Sequence, residues 1–189
     1  MTPCRPPIRR NTVLIIFAKA PVAGRVKTRL ARGLCVARAT MWYRRALAHT
    51  ISLAKNSRVP FCVALRQPSG DLGRRMGLVA KAAKGPSIII GCDIPELSVS
   101  ILREAADAVS RFDLVIGPAQ DGGYYLVGLK SPAHAFRLYE HVRWSGEFAL
   151  ADTLKNVPRH WRVHMLKMLR DVDVVEDLKP HSVVTRACG

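Results

Sequence analysis

Hydrophobic positions along the chain form short continuous runs separated by longer stretches in which apolar and polar residues alternate at helical spacing. A continuous apolar run of this length predicts a strand that is buried on both faces. Strands are therefore predicted over six segments: 12–18, 60–66, 87–92, 113–119, 124–129 and 161–166.

The stretches between these runs predict helices. A stripe of apolar positions at a spacing of three and four residues marks 36–54, and a second stripe marks 72–83. Further helices are predicted from about 99 to 110, from Pro132 to about 141, over 147–156 and over 174–178. Strands that alternate with helices require crossover connections, so we expect an α/β protein built as a three-layer α/β/α sandwich with a mixed, mostly parallel sheet.

The length of 189 residues suits one domain, and no stretch rich in Gly or Ser divides the chain. We interpret residues 1–11 as a flexible basic arm and residues 12–189 as a single domain. No apolar run is long enough to span a bilayer. The five cysteines form no CxxC pair, which favours reduced thiols over a zinc site. Reduced thiols are typical of the cytoplasm, and we predict a cytoplasmic location.

Charge is distributed unevenly along the chain. Residues 1–70 contain fourteen Lys or Arg and no Asp or Glu, whereas residues 71–189 contain sixteen basic and fourteen acidic residues. A field of one sign attracts polyanions, so nucleic acid, nucleotides and phosphorylated metabolites are all candidate ligands. A chain that is merely rich in Arg would give the same numbers. The charge alone therefore does not distinguish a surface that binds a polyanion from a bias in composition.

The segment 17–30, FAKAPVAGRVKTRL, follows the first predicted strand and contains four basic residues and no acid. A cation-lined loop that leads into a helix is suited to phosphate groups, and Gly24 allows close approach of the backbone. The alternative is a solvated basic loop without a ligand. The candidate phosphate-binding residues are Lys19, Gly24, Arg25, Lys27 and Arg29.

Two acidic residues lie next to predicted strands: Asp93 follows one, and Asp121 precedes another, from which two glycines separate it. Asp93 comes directly after the strand at 87–92, where a carboxylate can bind Mg²⁺ or Mn²⁺ or can simply cap a turn. Asp121 precedes Gly122 and Gly123, whose backbone can approach a ligand closely, and Tyr124 could flank a base or sugar. A tight turn with ordinary aromatic packing explains the second motif equally well.

A group of acidic residues lies near the end of the chain, in LRDVDVVEDL at 169–178. Asp173 with Glu176 fits a helix capping box, which is a structural role. Asp173 could instead face the ligand, because a cap and a metal site both use an oxygen at the turn into a helix.

Six segments, in this order, resemble a bacterial family of glycosyltransferase-A-like (GT-A-like) proteins within the nucleotide-diphospho-sugar transferase superfamily. They are IFAKAPVAGRVKTRL, GDLGRRM, GCDIPELS, GPAQDGGYYLVGL, VRWSGEFALADTL and LRDVDVVEDL, and they extend from about Val13 to Leu178. The resemblance implies a GT-A fold with a nucleotide bound over the N-terminal half of the sheet.

In related nucleotidyltransferases the basic loop holds a triphosphate, and acidic residues at the positions of Asp93 and Asp173 bind the metal ion. The resemblance therefore implies a site for Mg²⁺ or Mn²⁺ at Asp93 and Asp173. We therefore expect a metal-dependent transferase that moves a nucleotidyl or glycosyl group from a nucleoside triphosphate (NTP) or a nucleotide sugar to a small acceptor. Lys27 and Asp93 would be catalytic with Asp121, and Gly122, Gly123 and Tyr124 would line the acceptor pocket. The alternative is a basic nucleic-acid-binding protein on an inactive transferase fold, although few aromatic residues accompany the cations.

The chain departs from the family pattern at three places. The usual DTPED is DVVED at 173–177, the usual acid of GDLGERM is Arg74, and the segment between Arg66 and Gly70 is short. Because that region helps to shape the acceptor pocket in the family, the last two departures put the acceptor site in doubt.

Overall fold

The computed structural model describes residues 12–144 and 146–178. The predicted basic arm at 1–11 lies outside these residues, and so does the C-terminal part of the predicted single domain. Both boundaries therefore stay predictions.

Six strands form one sheet. They are β1 (Val13–Phe17), β2 (Phe61–Ala64), β3 (Ser87–Ile90), β4 (Leu114–Pro118), β5 (Tyr124–Leu129) and β6 (Val163–Met165). The strand order is β2-β1-β3-β5-β4-β6. β1 pairs in parallel with β2 and β3, and β4 pairs in parallel with β6, while β5 is antiparallel to both of its neighbours. The sheet is thus mixed and mostly parallel, as the sequence predicts.

Six α-helices accompany the sheet: α1 (Thr28–Leu34), α2 (Val36–Ser57), α3 (Leu72–Ala82), α4 (Val99–Val109), α5 (Ala135–Leu138) and α6 (Ala149–Lys155). Two short 3₁₀ helices, Pro132–His134 and Val175–Asp177, complete the described elements. The helix predicted from Pro132 to about 141 is shorter than expected, since its first turn is 3₁₀ and α5 ends at Leu138. None of the helices in this part of the chain is long and apolar enough to cross a membrane.

The core lies on both faces of the sheet, because successive side chains of each buried strand point to opposite faces. On one face, Leu14 and Ile16 of β1 pack in the cluster that contains Tyr43 of α2 and Leu102 of α4. On the other face, Ile15 packs with Met76 of α3. Helices therefore cover both faces, which confirms the predicted three-layer sandwich.

The last residue of β1, Phe17, and the residue that follows the strand, Ala18, lie on different faces of the sheet. Phe17 packs with the α3 face and Ala18 with the α2 face. A ligand above the end of β1 can thus contact residues from both helical layers. The candidate site lies at this edge of the sheet.

Candidate functional site

A cleft of about 820 Å³ lies at the carboxyl edge of β1 and β3. Open α/β sheets bind their ligands at this edge. Most of the predicted site residues line it: Lys19, Arg25, Lys27, Arg29, Asp93, Asp121, Tyr124 and Asp173. The basic loop and the later carboxylates therefore meet in one cavity.

Lys27 lies at the centre of the charged part of this cleft. Its Nζ donates a hydrogen bond to Asp93 Oδ2 at 2.6 Å and another to the Val172 carbonyl at 2.5 Å. The same Nζ lies 3.6 Å from Asp173 Oδ1. One buried ammonium group thus connects a carboxylate from the end of β3 with a carboxylate from the last segment of the fold.

The backbone at Lys27 is unusual for a residue with a side chain. Its φ of 46° and ψ of 47° lie in the left-handed region, which costs a non-glycine residue about 1–2 kcal/mol. The side chain is only 8% exposed. Burial alone would lower the pKa of Lys27, but the adjacent Asp93, with Asp173 and Asp171, raises it above its ordinary value. The ammonium is therefore held charged inside the cleft.

Asp173 makes contacts with the basic loop. Its Oδ2 accepts a hydrogen bond from Arg29 Nη1 at 2.8 Å. The backbone N–H groups of Asp173 and Val174 instead donate to Asp177 Oδ2, each at 2.9 Å. Of the two alternatives for Asp173, the capping box with Glu176 does not form: Asp177 caps the 3₁₀ helix, and the Asp173 carboxylate faces the cleft.

Backbone hydrogen bonds fix this acidic segment beside β3. Val172 N–H donates to the Asp93 carbonyl at 3.0 Å, and Gln120 N–H donates to the Leu169 carbonyl at 3.1 Å. These bonds place the segment 169–173 against the ends of both β3 and β4. Residues separated by about 80 positions in the sequence therefore act on one site.

Asp171 was not among the predicted site residues, but it lines the same cleft. Burial, followed by the negative charges of Asp121 and Asp93, raises the pKa of the Asp171 carboxyl to about 6. Its place in the acidic group at 169–178 was the only sequence feature that could have indicated it. The charged end of the cleft thus contains more carboxylates than its nearest ammonium group neutralises.

Asp121 has two roles in the structure. Its Oδ1 accepts a hydrogen bond from Gly123 N–H at 2.8 Å, which closes the turn before β5. The same side chain lines the cleft. The tight turn therefore occurs together with a position on the wall of the cleft; a role of Asp121 toward a ligand stays a prediction.

Three glycines from the predicted site lie elsewhere. Gly24, Gly122 and Gly123 are not among the residues that line the cleft. Gly24 and Gly122 have positive φ angles of 75° and 83°, which a glycine adopts without strain. These glycines shape the loops that carry Arg25 and Asp121.

Metal binding can be judged from the donor atoms that the cleft offers. Among the described residues, no group of three or more His, Cys, Asp or Glu side chains is arranged as a complete metal site. Mg²⁺, however, is commonly bound through one or two carboxylates together with substrate phosphates. Asp93 and Asp173 already share one cation, the Lys27 ammonium, so the residues present fit that mode of binding.

Comparison with known proteins gives a family and a fold. Residues 28–146, more than half of the chain, match the family model described as "Uncharacterized protein conserved in bacteria (DUF2064)". No curated protein matches the sequence significantly.

A number of solved structures are similar to this chain, among them the following two. The first is named as a putative nucleotide-diphospho-sugar transferase from Desulfovibrio desulfuricans G20. It is 26% identical, with a TM-score of 0.78 over 88% of this chain and 84% of that one. The second, Rv0371c from Mycobacterium tuberculosis H37Rv, is 15% identical, with a TM-score of 0.50 over 88% and 94% of the two chains. Rv0371c has also been crystallised with manganese. The predicted nucleotide-diphospho-sugar transferase fold is confirmed.

Proposed function

The chain belongs to this bacterial family, and from that premise and the geometry of the cleft we propose that it is a transferase that uses a nucleotide donor and a divalent metal ion. It would transfer a nucleotidyl group from an NTP, or a glycosyl group from a nucleotide sugar, to a small acceptor. The observation that supports this most directly is the contact of Lys27, from the basic loop, with Asp93 and Asp173 inside the cleft.

The basic loop is suited to the phosphates of the donor. Lys19 and Arg25 line the cleft, and neither forms a salt bridge with another residue of the described part. Cations without a carboxylate partner are available to bind phosphate oxygens. Lys27 and Arg25 would stabilise the negative charge that develops on the leaving pyrophosphate or nucleoside diphosphate.

Asp93 and Asp173 would hold Mg²⁺ or Mn²⁺. When bound, the ion would neutralise charge on the donor phosphates. Asp121 would orient the hydroxyl group of the acceptor or accept its proton, because it is a carboxylate on the wall of the same cleft.

The structure also bears on the nucleic-acid alternative. Two loop cations, Lys27 and Arg29, have their charged groups on carboxylates of the cleft. A surface that binds a nucleic acid backbone needs such groups directed at phosphates outside the protein. This favours a small ligand in the cleft over a polymer on the surface.

Product analysis tests the proposal. The purified protein is incubated with a panel of NTPs and nucleotide sugars, with Mg²⁺ or Mn²⁺, and with extracts that supply acceptors. Release of pyrophosphate indicates nucleotidyl transfer, and release of a nucleoside diphosphate indicates glycosyl transfer. Asp93→Asn is the matched inactive variant. If no donor binds or reacts under any of these conditions, the proposal is wrong.

A further inference from the structure

One wall of the cleft is formed by helix α3 and the end of β1, on the face of the sheet opposite to α2, whereas Lys27 lies beside Trp42 of α2. Phe17, Gln67, Leu72, Arg75 and Met76 line the α3 wall. All of them except Arg75 and Gln67 are apolar, so Arg75 is the charged group on this wall. Contacts with neighbouring residues hold its guanidinium in place.

The guanidinium of Arg75 is fixed by three contacts. Its Nη1 donates to Gln67 Oε1 at 2.6 Å, and its Nε donates to the Asp71 carbonyl at 3.3 Å. Its Cζ lies 6.0 Å from the centre of the Phe17 ring. Gln67 is itself held, because its Nε2 donates to the Ala18 carbonyl at 3.2 Å. The side chain is therefore positioned before any ligand arrives.

The charge of Arg75 has no acidic partner in the described residues, since none of the salt bridges found there includes it. The carboxylate of the neighbouring Asp71 caps α3 by accepting from Arg74 N–H at 2.7 Å. A guanidinium carries five N–H donors, and Arg75 uses two of them. A half-buried cation with three donors left over is suited to a planar or tetrahedral oxyanion.

We propose that Arg75 is the recognition group for an anionic acceptor, and that it binds a carboxylate or phosphate group of that molecule. The identification of this ligand as the acceptor rests on the proposed function; the anion site itself does not. In an in-line transfer the attacking and leaving atoms lie on opposite sides of the reacting centre. With the leaving phosphates at the Lys27 end, the acceptor would lie toward the α3 wall.

The test uses Arg75→Gln and its neighbour Arg74→Gln, which removes the same charge from an exposed position beside it. Arg75→Lys keeps the charge but loses the paired donors of the guanidinium. The full chain is first saturated with Mg²⁺ and a non-hydrolysable NTP analogue, so that the basic loop is occupied. Glycolate and glycerol 3-phosphate are then titrated by calorimetry, with uncharged glycerol as the blank.

We expect at least one of the two oxyanions to bind the wild type in preference to glycerol. Arg75→Gln should weaken that binding by about 10- to 100-fold, as loss of a charged hydrogen-bond partner typically does. The affinity of Arg75→Lys should lie between those of the wild type and Arg75→Gln, and that of Arg74→Gln should stay within about twofold of the wild type. Which of the two oxyanions responds distinguishes a carboxylate from a phosphate ligand.

Three outcomes would overturn the proposal. Equal weakening by Arg74→Gln and Arg75→Gln would reduce the effect to general surface charge. No difference between Arg75→Gln and the wild type for either oxyanion would remove Arg75 from the site. A change in affinity for the NTP analogue, or in preference among bases, would place Arg75 on the donor. If no nucleotide binds at all, the proposed function fails, and the same titrations on the nucleotide-free variants still decide the role of Arg75.

Discussion

Two clusters of opposite charges in this protein satisfy their carboxylates to very different degrees. Asp152 in α6 accepts hydrogen bonds from Arg143 N–H, Nε and Nη2 and from Lys155 Nζ. In the cleft, Asp93, Asp173 and Asp171 lie near one buried ammonium, that of Lys27, and the charge of Asp121 acts on Asp171. In the first cluster the four acceptor positions of one carboxylate are filled by donors. In the second, the described residues give Asp93 and Asp173 a salt bridge but give none to Asp121 or Asp171.

The pKa values follow this difference. Hydrogen bonds from Arg143 hold the pKa of Asp152 well below its usual range. Burial and neighbouring carboxylates raise the pKa of Asp171 to about 6. A saturated carboxylate is typical of a structural ion pair, whereas adjacent carboxylates that raise one another's pKa in a cleft are typical of a site that binds a cation or catalyses a reaction. Four substitutions test this difference between the two clusters.

The largest effect is expected for Asp93→Asn in the acidic cluster. The substitution keeps the size of the side chain and removes the charge that contacts Lys27, and with it the proposed metal ligand. Transfer should fall by about 100- to 1,000-fold, the usual effect of removing one electrostatic group from an active site. Product release at saturating donor measures this, and unchanged activity would assign Asp93 a structural role only.

Lys27→Met tests whether the ammonium and a metal ion compete for the same carboxylates. Without the ammonium, Asp93 and Asp173 lose the cation that connects them, so Mn²⁺ alone should bind at least about tenfold more tightly than it binds to the wild type. Electron paramagnetic resonance of free Mn²⁺ measures this without any donor. Arg32→Met, at an exposed position of α1, is the control. Equal Mn²⁺ affinity in wild type and Lys27→Met would contradict shared occupancy.

Gly122→Ala tests the loop that joins the two clusters. This glycine has a φ of 83°, and its carbonyl accepts from Leu150 N–H of α6 at 2.9 Å, while Asp121 beside it lines the cleft. A Cβ here would overlap the backbone carbonyl of Glu147. The free energy of unfolding should fall by about 2–4 kcal/mol, from strain together with the overlap.

Two alanine substitutions serve as controls for that measurement by urea denaturation. Gly24→Ala has a positive φ of 75° but open space around it, so it should cost only the strain of about 1–2 kcal/mol. Gly146→Ala has neither feature and should be close to neutral. If Gly122→Ala is no worse than Gly24→Ala, the loop can move away from Glu147.

The smallest effect is expected for Asp152→Asn in the saturated cluster, since its partner Arg143 is largely exposed. A depressed folded-state pKa stabilises the protein above the unfolded value near 3.9, and this contribution is lost as the pH falls through the folded pKa. The variant should be less stable than the wild type at pH 7, and the difference should shrink below about pH 4. Urea midpoints from pH 7 to about pH 2 measure this, and a constant gap would contradict it.

Most of the fold could be predicted from the pattern of apolar residues, because buried strands and amphipathic helices leave different periods in a sequence. The helix predicted from Pro132 to about 141 was too long, since neither the 3₁₀ first turn nor the end of α5 at Leu138 is encoded in an apolar stripe. The capping box of Asp173 with Glu176, one of the two alternatives for Asp173, also does not form. Asp177 is one residue further along and competes for the same backbone N–H groups.

The apolar pattern and the composition are enough to predict the strands, the layers and the types of chemical group available, with cations throughout the chain and no carboxylate before Asp71. Local composition and periodicity suffice for that, because they act over a few residues. Which cations meet which carboxylates depends on the tertiary structure. The hydrogen bond from Val172 N–H to the Asp93 carbonyl brings the acidic segment to β3, and the left-handed backbone at Lys27 belongs to the loop that meets it. The hydrogen bonds of Lys27 join it to Asp93 and Val172, which are 66 and 145 positions away in the sequence. No local pattern records that separation, so the pairing at the site appears only when the sheet brings its strand ends together.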